Sequence, residues 1–198
     1  MKELLVATTN KGKLKEIRAL LSGMPFMITS LADYSGLPAV VEDGTTFKSN
    51  ALKKALTIAR ATGKLTMGED SGLEIRALDN RPGVYSARFS GPRADDRRNN
   101  LKVLRLLRGV PAAQRQARYR CCIALADDHG AVAVVNGSCA GFIADRPRGT
   151  NGFGYDPLFL IPRYQKTFGE LDASVKSRLS HRAKALKKLK TFFELYKG

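Results

Sequence analysis

Short apolar runs alternate along this chain with segments in which apolar residues recur at helical spacing. The first run, Lys2–Thr8, predicts a buried strand. A helix is expected after this strand, because apolar residues recur at helical spacing among lysines and arginines: Leu14, Ile17, Leu20 and Leu21. A strand, a polar turn and a helix in this order are typical of the start of an α/β fold.

The same pattern predicts further elements downstream. Helices are expected over Gly44–Gly63, with Thr45 or Thr46 as N-cap, near Arg97–Leu107, and from about Ser174 onward. Strands are expected at Leu73–Ala77, Tyr119–Ala126, Ala131–Val135, Ser138–Ala144 and Pro157–Pro162. Two segments rich in turn-forming residues are expected to be loops: Pro82–Gly91 and Asp145–Asp156. No repeat or linker divides the chain, so we expect one α/β domain over residues 1–198.

Positive charge dominates the chain, with 34 lysines and arginines against 18 aspartates and glutamates and a formal net charge of +16. Such a surface attracts polyanions, which include both nucleic acids and nucleotide phosphates. Charge alone does not separate these partners from a solvated basic surface that binds neither. No apolar run has the length of a membrane span and no signal-peptide pattern occurs, so we expect a cytoplasmic protein with no membrane partner.

The chain has three cysteines, Cys121, Cys122 and Cys139, without C-x-x-C spacing. An odd number in this arrangement favours neither a disulfide framework nor a structural zinc site. We expect all three to be small core or surface residues.

A polar segment joins the first predicted strand to the first predicted helix, and it consists of Thr8, Thr9, Asn10, Lys11, Gly12 and Lys13. Backbone N–H groups at a helix start carry partial positive charge and lack partners within the helix. Together with hydroxyl, amide and ammonium groups, they suit phosphate oxygens. The segment lacks the spacing of a P-loop, so an ordinary capped helix start with exposed lysines stays an alternative.

Two adjacent carboxylates, Glu69 and Asp70, lie between glycines in this otherwise basic chain. They follow a predicted helix and precede a predicted strand, so we expect them to lie in a turn. Magnesium prefers hard oxygen ligands and takes one or two protein carboxylates, and Glu42, beside another turn, could join them. A carboxylate can also accept a proton from an attacking water. A solvated acidic turn without function is the alternative.

A glycine-rich segment, Gly152–Asp156, places Phe153 and Tyr155 between and beside glycines, with a carboxylate directly after them. Glycines allow close backbone approach, and an aromatic face offers a nucleobase a stacking surface. Downstream, Lys176 and the pair His181–Arg182 are expected on one helix, near enough to serve one ligand. The polar face of an amphipathic helix is the alternative for these basic residues.

Six motifs occur in order along the chain, and they are ATTNKGKLKEI, TFKSNALKKA, EDSGLEI, PGVYSARFSG, TNGFGYDPLF and KSRLSHRAKAL. In that order they closely resemble the inosine/xanthosine triphosphate pyrophosphatase family. The resemblance runs from Val6 to the C-terminal helix. It implies an α/β fold of two lobes around a long mixed β-sheet with a deep central cleft, helices packed on the sheet, and a homodimer. It also implies Mg²⁺-dependent release of pyrophosphate from ITP, dITP and XTP, which removes these nucleotides from the pool.

The resemblance also assigns roles to single residues. Thr8–Lys13 would contact phosphate and Lys54 would neutralise phosphate charge. Asp70 would be the general base and a metal ligand, assisted by Glu69 and Glu42, and Ser71 would touch the substrate. The base would be held by the remaining residues of the set: Phe153, Gly154, Tyr155, Asp156, Lys176, His181 and Arg182.

A preference for deaminated purines has a physical reason in this assignment. Hypoxanthine and xanthine carry an acceptor oxygen at the purine 6-position, where adenine has an amino donor. A buried pocket of donors, supplied by His181, Arg182 and backbone N–H groups, would leave adenine facing unpaired donors. Guanine shares the 6-oxygen, so a tight wall near its 2-amino group would exclude it.

The chain departs from the family pattern at two positions. Glu69 stands where close relatives often have Asp, which lengthens this side chain by one methylene. Ser49 stands where Glu is expected, so an acidic group on that helix is absent. The first departure bears on metal geometry, and the second bears on any metal or substrate role of that helix position.

Two other functions stay as alternatives. The basic stretch RRNNLKVLRLLRGVPAAQRQARYR motivates a nucleic-acid-binding protein, whose affinity would fall steeply with salt and would not depend on Asp70. A pyrophosphatase for other modified nucleotides, such as modified pyrimidine triphosphates, is the second alternative. A Nudix-type hydrolase is set aside because its Glu-rich helix does not occur.

Overall fold

The computed structural model describes residues 2–92 and 95–195. Seven strands in these residues form one sheet: β1 (Lys2–Val6), β2 (Phe26–Ser30), β3 (Thr66–Ile75), β4 (Gln116–Ala126), β5 (Ala131–Ile143), β6 (Phe159–Ile161) and β7 (Lys166–Thr167). The helices are α1 (Lys11–Leu20), α2 (Phe47–Thr62), α3 (Asp96–Leu106), α4 (Ala173–Leu179) and α5 (His181–Leu195). The predicted α/β class is therefore confirmed.

The sheet is mixed, as the resemblance implied. Its strand order is β2-β1-β3-β4-β5-β6-β7. β1 pairs in parallel with both β2 and β3, so that Leu5 lies opposite Thr29 on one side and Thr66 on the other. β6 pairs antiparallel with both β5 and β7. Parallel strands need a long connection between them, and α1 forms part of this connection between β1 and β2.

The chain divides into two units. Unit 1 comprises Met1–Asp70, Cys121–Gly137 and Arg182–Gly198. Its core contains apolar side chains of β1, α1, β3, β4 and α5, among them Leu4, Val6, Ile17, Met67 and Leu186. The helix α2 adds Ile58, which packs with Leu5 and Ala7.

Unit 2 comprises Ser71–Arg120 and Ser138–His181. Its core is richer in aromatic residues, and Tyr119, Phe159 and Phe168 form a contiguous group with ring centroids 4.5–6.4 Å apart. Leu73 and Ile75 of β3 are fully buried in the same core. All three cysteines, Cys121 and Cys122 of unit 1 and Cys139 of unit 2, are buried thiols, as expected for small core residues.

Both predicted N-terminal helices begin at recognisable caps. Asn10 caps α1, because its side-chain oxygen accepts a hydrogen bond from the backbone N–H of Lys13 at 2.9 Å. Thr46 caps α2, and Ser49 completes a reciprocal capping box by accepting from the backbone N–H of Thr46. The serine at position 49 therefore has a structural role in this chain. Gly63 ends α2 in the left-handed conformation, with φ of 65°.

The prediction of a turn for Glu69 and Asp70 is wrong. Both residues lie in the middle of β3, and their side chains are buried, with 1% and 4% of the residue exposed. The polar sequence suggested a turn because carboxylates normally stay in solvent. Here the strand forms because each carboxylate has cationic or amide partners within unit 1.

Other boundaries also differ from the sequence pattern. The predicted C-terminal helix is two helices, because Ser180 between them has an extended backbone with φ of −65° and ψ of 157°. In α3, Leu101 is exposed, whereas Asn99 and Asn100 are buried, so the buried face of this helix is partly polar. The predicted loop Pro82–Gly91 contains a 3-10 helix, Gly83–Arg88. The predicted strands Ala131–Val135 and Ser138–Ala144 are one strand, β5.

Membrane insertion was not expected from the sequence. Within residues 2–92 and 95–195, every helix is too short or too polar to cross a bilayer.

We expect Gly68→Ala to destabilise the protein, because a Cβ atom there would lie 2.2 Å from the carbonyl oxygen of Ala51 and 2.6 Å from the amide nitrogen of Ala55, both in α2. Helix backbone cannot move aside as a side chain can, so urea unfolding should show a loss of about 3 kcal/mol. Gly63→Ala is the control, because its φ is 65° but its Cβ would meet nothing within 4 Å. This control should lose only about 1 kcal/mol through backbone strain. Equal losses in the two variants would contradict the close approach of α2 to β3.

Candidate active site

The polar segment after β1 forms the start of α1 in unit 1. Thr8 accepts a hydrogen bond from the backbone N–H of Asn10 at 3.2 Å, and Asn10 in turn caps the helix. Thr9, Asn10 and Lys11 are exposed, and Thr8, Gly12 and Lys13 are half-buried. The first N–H groups of α1 therefore lie beside hydroxyl and ammonium groups, an arrangement that suits phosphate oxygens.

Glu69 is buried in unit 1, where its carboxylate contacts two cations and the Cys121 thiol. Its Oε2 lies 2.9 Å from Lys13 Nζ, and its Oε1 accepts a hydrogen bond from Arg182 at 3.0 Å. Arg182 is also paired with Glu16, and its guanidinium is 1% exposed. Burial alone would raise the pKa of Glu69, but the charges of Arg182 and Lys13 outweigh it, so the pKa lies well below its ordinary value. Glu69 is therefore a buried anion that fixes two cations.

Asp70 has a different set of neighbours in unit 1. Its Oδ2 accepts a hydrogen bond from Asn50 at 3.0 Å, and its Oδ1 lies 3.6 Å from Lys54 Nζ. Lys54 also donates to Glu42 at 2.9 Å. Burial raises the pKa of Asp70, and the charges of Lys54 and Lys13 oppose the rise without cancelling it. A carboxylate with a raised pKa is a better proton acceptor than an ordinary one.

The two carboxylates diverge because they are neighbours on a strand. Successive side chains of a β-strand point to opposite faces of the sheet. Glu69 accordingly contacts cations of α1 and α5, and Asp70 contacts residues of α2. Adjacent positions in sequence thus have different direct partners, although the charges of Lys13 and Lys54 act on both carboxylates.

A divalent cation would find oxygen ligands at Asp70 and Glu42. Both carboxylates approach Lys54, whose ammonium shows that a positive charge is accommodated between them. Glu69 has both oxygens engaged by Lys13 and Arg182. Over the described part of the chain, the structure does not gather three His, Cys, Asp or Glu side chains into one ready metal-binding group. Glu42 and Asp70 fit Mg²⁺, which needs only one or two carboxylates.

Asn50 is a site residue that the sequence analysis missed. It is 1% exposed, and besides Asp70 it binds the backbone of Gly44, whose N–H donates to Asn50 Oδ1 at 2.8 Å. One side chain thus ties Asp70 to the segment that follows Glu42. The sequence signal was its helical spacing from Phe47 and Lys54, which places Asn50 on the buried face of α2.

Unit 2 contains the second group of predicted site residues. Asp156 is buried and accepts hydrogen bonds from the backbone N–H of Phe153 at 2.9 Å and from Tyr119 at 3.4 Å. Lys176 is buried against the same carboxylate, and its Nζ lies 4.7 Å from the ring centroid of Phe153. The ammonium group of Lys176 thus lies beside the half-buried ring of Phe153. Asp156 was predicted to bind the base, and in the structure its carboxylate binds Phe153, Tyr119 and Lys176.

His181 and Tyr155 complete this group in different ways. The ring of His181 stacks on that of Tyr119, with centroids 4.6 Å apart and planes 11° from parallel. The Tyr155 hydroxyl donates to the backbone oxygen of Ser86 at 2.7 Å, so this ring anchors its segment in the core. Burial raises the pKa of Tyr155 above its ordinary value. Tyr119 was not singled out from the sequence, because it falls in a strand pattern that carries no motif.

The structure brings together the predicted residues within each unit. Unit 1 contains the phosphate segment with Glu42, Lys54, Glu69 and Asp70. Unit 2 contains Ser71, half-buried in β3, and the group around Asp156, Lys176 and His181. Arg182 was expected beside the base, and its guanidinium contacts Glu16 and Glu69 of unit 1.

Comparison with known proteins adds independent information. The chain matches the Ham1 family over residues 4–192. It is 51% identical over 186 residues to a dITP/XTP pyrophosphatase of Desulforamulus reducens, with 94% of this chain and 92% of the relative covered. A dITP/XTP pyrophosphatase of Geobacter sulfurreducens is 50% identical, with 96% of each chain covered. Among solved structures, the HAM1 protein of Coxiella burnetii has a TM-score of 0.89 at 39% identity, with 99% of this chain and 100% of that chain covered.

We expect Glu69→Gln to lower the free energy of unfolding by about 3 kcal/mol, because it leaves buried cations without their anion. The stabilisation by Glu69 is present above its ordinary pKa of 4.5 and is lost as pH falls through its depressed folded-state pKa. Urea unfolding in EDTA between pH 7 and acid pH measures both effects, and the variant should lose part of the acid dependence.

Glu74→Gln is the matched control, since Glu74 lies on the same strand but pairs with Arg118 and Arg120, whose side chains are 50% and 39% exposed. Ion pairs to such exposed partners should contribute at most about 1 kcal/mol. A Glu69→Gln protein as stable as this control, with the acid dependence of the wild type, would show that the buried ion pairs contribute nothing.

Proposed function

The chain belongs to the Ham1 family, and from this membership we propose that it hydrolyses ITP, dITP and XTP to the nucleoside monophosphate and pyrophosphate. Relatives that are about half identical over nearly the whole of both chains are named dITP/XTP pyrophosphatases. The observation that carries the proposal is Asp70, a buried carboxylate with a raised pKa between an amide and an ammonium group. Such a group is suited to accept a proton from water.

Unit 1 would bind the triphosphate. The start of α1 offers N–H groups and the hydroxyls of Thr8 and Thr9, and Lys13 and Lys54 offer ammonium groups. Glu69 holds Lys13 in place through a buried ion pair, so this cation is already ordered before a phosphate arrives. Positioned charges stabilise a phosphoryl-transfer transition state without reorganising during the reaction.

Mg²⁺ is proposed as the cofactor, held by Glu42 and Asp70. When bound, it would neutralise part of the triphosphate charge and polarise a phosphoryl oxygen. The support is the chemistry of the donor set, since these two carboxylates already face a shared positive charge on Lys54. Glu69 was also predicted as a metal ligand, and that role would require it to give up Lys13 or Arg182.

The hydrolytic step assigns one task to each residue. Asn50 orients the Asp70 carboxylate, which accepts the proton of a water as its oxygen attacks the α-phosphorus. A bond forms between the water oxygen and phosphorus, and the bond to the bridging oxygen breaks with departure of pyrophosphate. Lys13 and Lys54 stabilise the negative charge that develops on the leaving group.

Unit 2 would recognise the base. The Phe153 ring offers a stacking face, and Lys176 and His181 supply donors for an acceptor at the purine 6-position. Asp156 fixes the position of Lys176 through an ion pair and also binds the backbone N–H of Phe153. Adenine would place an amino donor against these donors, and this mismatch lowers its binding.

We further propose that the protein acts as a cytoplasmic homodimer that removes deaminated nucleotides from the pool. The family resemblance supports the dimer. Large apolar side chains that remain exposed on α3, Leu101 and Leu106, are suited to cover by a second copy.

A panel of nucleoside triphosphates tests the proposed activity. Pyrophosphate release should require Mg²⁺, be efficient with ITP, dITP and XTP, and be weak with ATP, GTP and modified pyrimidine triphosphates. Asp70→Asn should lower kcat about a thousandfold, because the proton acceptor is lost. Equal rates on ATP and ITP would contradict the base preference, and full activity of Asp70→Asn would contradict the assigned base.

The position of attack is tested separately by hydrolysis of dITP in ¹⁸O-labelled water. Mass spectrometry should find the label in the nucleoside monophosphate, because the water oxygen bonds to the α-phosphorus. Label recovered in pyrophosphate would place the attack at the β-phosphorus instead. Unlabelled water provides the control spectrum.

A further inference from the structure

The first two turns of α3 bind both backbone polar groups of a single residue, Gly154, in the glycine-rich segment of unit 2. The backbone N–H of Gly154 donates to Asp96 Oδ2 at 2.6 Å. The backbone oxygen of Gly154 accepts a hydrogen bond from Asn100 Nδ2 at 2.9 Å. Asp96 and Asn100 are four positions apart and therefore project from the same face of the helix. We name this pair the Gly154 clamp.

The clamp acts on a residue whose conformation needs support. Gly154 has φ of 64°, in the left-handed region that favours glycine. Its neighbours are fixed by other groups, because Asp156 binds the N–H of Phe153 and Tyr155 binds the backbone of Ser86. The three consecutive residues Phe153, Gly154 and Tyr155 thus each have a hydrogen-bond partner in unit 2, and α3 supplies the partners of Gly154.

The same helix also holds the PGVYSARFSG segment. Asn99 accepts hydrogen bonds from the backbone N–H and the hydroxyl of Ser90, and donates to the backbone oxygen of Ala87 at 3.2 Å. Asn99 and Asn100 are buried, although α3 is otherwise rich in exposed charged residues. The R-R-N-N sequence that suggested nucleic-acid binding therefore directs its asparagines toward two loops of unit 2.

We propose that Asp96 and Asn100 are positioning residues for recognition of the purine base, an inference that rests on the proposed function. The two bonds fix the peptide groups on either side of Gly154, which join this residue to Phe153 and to Tyr155. A rotation of these peptide groups would shift the Phe153 ring relative to Lys176, whose Nζ lies 4.7 Å from the ring centroid. Displacements of about 1 Å at a binding group reduce the efficiency of an enzyme markedly.

The clamp should affect binding of the base more than the chemical step. Asp70 contacts Asn50 and Lys54 within unit 1, whereas Asp96 and Asn100 belong to unit 2. Loss of a hydrogen bond to a charged group should raise the KM for dITP about tenfold. The kcat should stay within about twofold, because binding is lost equally from substrate and transition state.

Asp96→Ala and Asp96→Asn form the main test. Asp96 is exposed, so neither change should unfold the protein. Alanine removes the acceptor for the Gly154 N–H, and asparagine retains an oxygen in the same place, so Asp96→Asn should restore most of the wild-type KM. Asn100→Asp is the second variant, because a carboxylate cannot donate to the Gly154 oxygen. Arg97→Ala, an exposed neighbour on α3, is the control and should behave as wild type.

Steady-state kinetics with dITP and dATP, and calorimetry with IMP and AMP, supply the readouts. Asp96→Ala and Asn100→Asp should raise KM for dITP, weaken IMP binding and reduce the preference for IMP over AMP. Thermal unfolding identifies any variant that has lost its fold.

Two outcomes would overturn the inference: folded variants with wild-type KM and base preference, or a fall in kcat alone. A wild type that binds IMP but cleaves no triphosphate would refute the proposed hydrolysis, and calorimetry would still decide the role of the clamp.

Discussion

The structure of unit 1 depends on the burial of Glu69 in the middle of a β-strand. A carboxylate removed from water is tolerated only when opposite charges and hydrogen bonds compensate it. Lys13 and Arg182 supply this compensation from the first turns of α1 and α5. The start of each helix is therefore fixed relative to β3 by charge as well as by apolar packing. Because Arg182 also contacts Glu16, the ion pairs form a connected network in which each side chain restricts the positions of the others.

Successive side chains of β3 point to opposite faces of the sheet, so Glu69 and Asp70 have different direct partners. Glu69 organises cations, and Asp70, one residue later, meets Asn50 and Lys54 on α2. Gly68 permits this, because a side chain at that position would collide with the α2 backbone. The pKa of the first carboxylate is lowered and that of the second is raised, so two adjacent residues differ in their capacity to accept a proton.

Local sequence patterns predicted the elements whose signals are themselves local. Periodicity and capping chemistry predicted the opening strand and helix, the cap at Thr46 and the strands before and after residues 127–130. The strand character of Glu69 and Asp70 could not be predicted in this way, since their partners are far away in sequence. The break at Ser180 was missed because both flanking segments have helical periodicity. The order of motifs indicated candidate site residues, whereas Asn50, Tyr119 and the contacts of Arg182 required three-dimensional proximity.

We propose that Asp70 and Glu42 coordinate the metal ion, whereas Glu69 pairs with Lys13 and Arg182. A crystal structure with Mn²⁺ and a non-hydrolysable dITP analogue tests this most directly through the anomalous signal of the metal. The account predicts a peak coordinated by the Asp70 carboxylate, with Glu69 still paired to Lys13 and Arg182. A metal coordinated by Glu69 with those ion pairs broken, or a metal remote from Asp70, would contradict the account.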